Sequence, residues 1–149
     1  MRDFDHDFVD DVVERLGRIK PDAQPRWGKM TPEQMIAHLV DVVLFSMGQG
    51  GDMPDVGNWF TRRVAGPLII HGIVRLPKNL KTPKTINKAP RTGPDDLETL
   101  HAVLEDYLGL VQSGELEPKR HPALGDLGVD DWARLHGVHF EHHMRQFGV

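Results

Sequence analysis

The sequence predicts an all-α protein: a four-helix bundle in one domain over residues 1–149, with a long connection between the second and third helices. Three observations predict it. Four segments carry apolar residues at three- and four-residue steps. Each of the four is bounded by capping or glycine signals. No segment shows period-two alternation flanked by hairpin turns. With 149 residues, 39% hydrophobic and 27% charged, the chain is long enough to bury a core without covalent staples.

The first helix is expected over roughly Asp3 to Leu16. Phe4, Phe8, Val12 and Leu16 fall on one stripe, and acids occupy the early turns, where the helix dipole favours them. Gly17 ends it. The second opens at "TPEQ", with Thr31 as N-cap, Pro32 in the first helical position and Gln34 three residues after the cap, a capping-box pattern. It is expected to run to about Met47. The third follows Gly93-Pro94 and carries Leu97, Leu100, Leu104, Tyr107 and Val111 along one seam, with Gly114 closing it. The fourth starts near Val129, with Asp130 and Asp131 in its first turn, and stops at Gly148.

The connection between the second and third helices exceeds an ordinary helix-to-helix loop, so it is expected to span the bundle or cover something. Residues 56–71 predict a short helix interrupted near Gly66-Pro67, and "RLPKNLKTPKTINKAPRTGP" predicts an irregular segment.

Composition excludes several functions. There is no cysteine, hence no disulfide, thiolate metal site or cysteine nucleophile. The N-terminus "MRDFDHDF" is acidic where a secretory signal is basic and then apolar, and no apolar run approaches a membrane span, so a cytoplasmic protein without a membrane partner is expected. The formal net charge is -4, yet no acid lies between Asp55 and Asp95, an interval holding eight Lys and Arg. One basic loop in an acidic protein argues against a nucleic-acid partner and suits a local anion site. Lys81, Lys84 and Lys88, with Lys78 and Arg91, are the candidates for binding an anionic ligand.

The chemistry concentrates near the C-terminus, where "HGVHFEHHMRQFGV" places four of nine histidines within eight residues. At about 100° per residue, Trp132, Leu135, His139, His143 and Gln146 share one face of the fourth helix. His139 and His143 stand four apart, with Cβ atoms roughly 5 to 6 Å from each other. Two buried imidazoles side by side are costly unless each finds a partner, and one shared cation satisfies both. His38 on the second helix is the third candidate ligand, since catalytic zinc-type sites use three protein ligands and leave one position open. Gln34, Asp41, His142 and Gln146 are candidates for orienting those ligands or contacting a bound water, against the plainer roles of capping and helix-surface polarity. His121 is a candidate acid/base or the fastener of its turn, and His101 is the candidate fourth ligand that would close the site.

Two alternatives fail on spacing. A metalloprotease helix needs Glu directly after the first histidine, where Phe140 stands. A ferritin-like di-iron site needs two Glu-x-x-His motifs, and only Glu98 with His101 supplies one.

With His38, His139, His143 and Gln146 in place, the sequence resembles the DinB-like superfamily of metalloenzymes. These are four-helix bundles with one histidine on the second helix and H-x-x-x-H, often continued as H-x-x-x-H-x-x-Q, on the last. The phrases "WGKMTPEQMIAHL" and "HPALGDLGVDDWARLHGVHFEHHMRQFG" are similar to an uncharacterised subfamily of it, over roughly residues 25–149. The resemblance implies a divalent metal ion (zinc, nickel or iron) in an open three-histidine site, and a homodimer. Characterised relatives include transferases and isomerases that use a low-molecular-weight thiol such as bacillithiol or mycothiol. The sequence therefore leaves three functions open: a metal-dependent, thiol-using transferase or isomerase acting on a small molecule; a non-catalytic metal-binding or interaction bundle; and a metal-dependent hydrolase.

Overall fold

Five helices order the chain in a computed structural model that describes residues 3–78 and 96–149. They are α1 (His6–Gly17), α2 (Pro32–Ser46), the short α3 (Gly66–Ile70), α4 (Leu97–Ser113) and α5 (Val129–Phe147). Among the described residues there is no strand, only an isolated bridge between His121 and Gly125. No described helix is long and apolar enough to cross a membrane.

The helix boundaries follow local chemistry. The Asp5 carboxylate accepts from Phe8 N at 2.9 Å, which starts α1 two residues later than the apolar stripe alone suggests. At α2 both halves of the capping box form: Gln34 N donates to Thr31 Oγ1 at 3.1 Å, and Thr31 N donates to Gln34 Oε1 at 3.0 Å. Asp96 caps α4 through Thr99 N at 2.8 Å. Gly114 and Gly148, at φ 73° and 79°, end α4 and α5 in the left-handed conformation that costs glycine little.

The long helices α1, α2, α4 and α5 bury one shared core. Phe8, Val9 and Val12 of α1 meet Met35, Leu39 and Val43 of α2, Leu100, Leu104 and Tyr107 of α4, and Phe140 and Met144 of α5. Arg15 ties α1 to α5, donating to Glu141 Oε1 at 2.8 Å and to the Val149 carbonyl at 2.9 Å. A second cluster of Phe45, Ile70, Trp132 and Leu135 docks α3 against α2 and α5.

The expected break at Gly66-Pro67 takes a specific form. Residues Thr61–Ala65 make a π-helical turn that runs straight into α3. Pro67 has no N–H, and its ring crowds the carbonyl four residues earlier, so the preceding turn widens. Gly66 N closes that turn on the Thr61 carbonyl, and a Cβ at Gly66 would sit 2.8 Å from the same oxygen. Residues Lys81, Lys84, Lys88 and Arg91 lie outside the described residues.

Candidate metal centre

The middle of α2 carries His38, and the C-terminal half of α5 carries His139 and His143, so the packing of α2 on α5 brings the three together. His38 and His143 are buried and His139 is partly buried. Their Nε2 atoms converge: His38 to His139 at 2.9 Å, and His143 to His139 at 3.1 Å. One ring nitrogen from each lies within 4.8 Å of the others, a geometry able to hold a metal ion. The ring pairs stand at 71° to 86°, edge to face, so the nitrogens aim at a common point while the rings stay apart.

Proton bookkeeping tests whether a cation suits this arrangement. Burial, the largest cause, holds His38 at a pKa of about 3 and His143 at about 4, and pushes His139 well below the ordinary value of 6.5. All three rings are therefore neutral at pH 7, each with one proton and one lone pair. The His143 Nδ1–H is held by Gln146 Oε1 at 2.8 Å, which leaves His143 Nε2 as a bare lone pair. His139 Nε2 has a short contact on each side but room for one proton. No neutral arrangement makes both contacts ordinary hydrogen bonds, whereas a cation accepts all three lone pairs at once. The residues present fit a divalent metal.

Gln146 does more than hold one proton. It is buried, its Nε2 donates to the Trp27 carbonyl at 3.0 Å, and its own carbonyl accepts from Arg26 N at 2.7 Å. Trp27 and His143 are thus fastened to one side chain, and Arg26 to the backbone of the same residue. Trp27 packs its ring edge to face on His142, centroids 5.4 Å apart, and His142 stands at 88° to His143. Lys78 Nζ lies 4.6 Å from the centre of the Trp27 ring. His142 is held below its ordinary pKa by burial first, then by Arg145 and Lys78. Sequence reasoning missed Trp27 as a neighbour of the site, although it sits in the quoted phrase that carries the resemblance.

The other candidates separate. Gln34 is exposed at the start of α2 with its carbonyl oxygen on Thr31 N, so it caps the helix and does not orient His38. Asp41 is buried three residues beyond His38 but is not a member of the convergent cluster. His101 is not a fourth ligand; its Nε2 is 3.7 Å from Glu105 on the outer side of α4. His121 Nδ1 accepts from Ala123 N and Leu124 N at 3.1 and 2.9 Å, which fastens the turn before α5. His136 is fully buried. Ser46 Oγ gives its proton to the Val43 carbonyl, so His136 Nε2 donates to Ser46 Oγ at 2.9 Å and is turned away from the triad.

Comparison with curated proteins and with solved structures gives no match. A family model does match, from residue 1 to residue 148, and on that extent the chain belongs to the family described as Protein of unknown function (DUF1569).

Proposed function

We propose that this protein is a mononuclear metal-dependent enzyme of DinB-like four-helix-bundle type, with His38, His139 and His143 as its ligands. The observation that carries this reading is the convergence of three neutral Nε2 atoms from two helices, with no fourth histidine or carboxylate joining them among the described residues. Three protein ligands leave a coordination position for an exogenous molecule, the arrangement of catalytic rather than structural sites.

A bound divalent ion would lower the pKa of a water or thiol held at the fourth position, supplying a nucleophile at neutral pH. The chain's own residues do the rest. Burial keeps the three imidazoles unprotonated, and Gln146 fixes the His143 ring so that Nε2 points inward. His142 stands against His143, Trp27 against His142 and Lys78 over the Trp27 ring, a run of aromatic and cationic groups leading away from the triad.

The activity we infer is transfer or isomerisation of a small molecule by a low-molecular-weight thiol. The chain has no cysteine, so the thiol comes from outside, and the DinB-like resemblance favours that class over hydrolysis. The second reading, a non-catalytic metal-binding bundle, keeps the same ligands. Metal analysis of protein purified without a metal-affinity tag, followed by a thiol screen on the loaded form, separates them. Thiol-dependent turnover of an electrophilic substrate supports the enzyme, and one bound ion without thiol binding supports the module.

A further inference from the structure

Among the described residues every large exposed apolar side chain belongs to one stretch: Val56, Trp59, Phe60, Ile73 and Val74. Trp59 is 72% exposed, Phe60 57% and Ile73 71%, far beyond what an isolated surface hydrophobe requires. The stretch is not a loose loop. Val56 N and Gly57 N both donate to the Pro122 carbonyl, Thr61 Oγ1 donates to the Ala123 carbonyl, and Ile70 is buried against α5. Trp59, Phe60, Arg63 and Pro67 form an exposed stripe, while Gly66 and Ile70 face inward. After α3 the chain turns through Gly72, at φ 69°, and holds Ile73 and Val74 by their amides on the Leu68 carbonyl, leaving both side chains in solvent.

Charge selects what this face meets. Arg63 and Arg75 are exposed in this stretch with no carboxylate partner among the described residues, and Lys78 at its end lies over the Trp27 ring. No Asp or Glu occurs from residue 56 to residue 94. A second copy related by a two-fold axis would place the same cations against each other. A nucleic acid could use the cations and aromatic rings but gives Ile73 and Val74 nothing to bury. Exposed Trp and Phe next to Arg and Lys match the interfacial region of an anionic bilayer, where apolar side chains enter the acyl boundary and cations meet headgroups.

We propose that residues 56–78 form a docking surface on which the protein lies against an anionic lipid membrane. No apolar run in the sequence is long enough to span a membrane, and a segment that lies on the surface needs none. The proposal is independent of the metal reading. The chain carries a net charge of -4 overall, whereas residues 56–78 hold four Lys and Arg and no acid, so this face attracts anionic lipid against the charge of the rest.

The test is flotation of the full chain with vesicles of mixed phosphatidylglycerol and phosphatidylcholine, and with phosphatidylcholine alone. The expected result is association with the anionic vesicles that weakens as salt is added. Trp59→Ser with Phe60→Ser, and separately Arg63→Gln with Arg75→Gln, should each lower the partition coefficient by about tenfold or more. The arginine pair stays informative if the aromatic pair disturbs folding. Absence of flotation with anionic vesicles, or flotation unchanged in both double variants, overturns the proposal. So does a wild-type dimer in sedimentation velocity that the aromatic pair converts to monomer, which would assign the face to a second copy.

Discussion

His143 Nδ1 lies 2.8 Å from Gln146 Oε1, and the amide nitrogen of that glutamine donates to the Trp27 carbonyl at 3.0 Å. The second bond fixes which end of the amide faces His143, and the first fixes which nitrogen of His143 keeps its proton. Gln146→Leu removes both, and metal affinity should fall by about 10- to 100-fold, as for other partners of metal-bound histidine. Gln146→Glu retains an acceptor for His143 and should bind metal more tightly than Gln146→Leu. Competition titration with a chromophoric chelator measures both, and equal affinity in all three proteins contradicts the role.

His143→Ala and His136→Ala should part company in a metal-limited loading experiment. His143→Ala should lose most bound metal. His136→Ala should keep it but lose stability on the order of 3 kcal/mol, because His136 fills space between Tyr107 and Trp132 and satisfies Ser46. Bound metal per chain and the thermal midpoint read the two effects separately.

Acid should destabilise the metal-free protein well before its carboxylates titrate. In the folded state His136 is held at about 3 and His121 at about 4, chiefly by burial, against an ordinary value of 6.5. Below 6.5 the unfolded chain therefore binds protons that the folded chain does not. The stability contribution is full above pH 6.5 and is lost progressively as pH falls toward 4 and then 3. The triad histidines shift the same way, so protons compete with the metal for the folded site only well below pH 6.5. Denaturant midpoints between pH 4 and pH 8 check this, and a flat profile contradicts it.

Thr31→Ala should cost about 1 kcal/mol by removing the α2 cap. Gln34→Leu removes the reciprocal bond and should act in the same direction, with metal affinity unchanged in both. A tenfold loss of affinity in Gln34→Leu would return that residue to the site.

The elements that were legible in the sequence are those written in local chemistry. The Thr31-Pro32-Glu33-Gln34 cap, the Gly114 and Gly148 stops and the four-residue step between His139 and His143 each act within a helical turn, so spacing alone places them. His38 was legible because its helix and its side of that helix could be read independently. What sequence could not supply was direction. His136 lies three residues before His139, yet a single hydrogen bond to Ser46, ninety residues away in sequence, turns it elsewhere. Gln34 had the chemistry of an orienting residue, and the cap took its oxygen. Trp27 joins the site only because the segment before α2 is fastened to Gln146 on α5, a contact between distant positions that no periodicity encodes.

The most direct measurement is X-ray absorption on protein expressed and purified without an affinity tag, paired with elemental analysis of the same sample. About one divalent ion per chain is expected, bound by three imidazoles with nitrogen distances of roughly 2.0 to 2.1 Å if the ion is zinc, plus one exogenous oxygen or sulfur ligand. Loss of that signal in His38→Ala, His139→Ala and His143→Ala alike would complete the assignment. A chain that takes up no divalent ion even when saturated, or one bound through carboxylates with the three histidines dispensable, would contradict it.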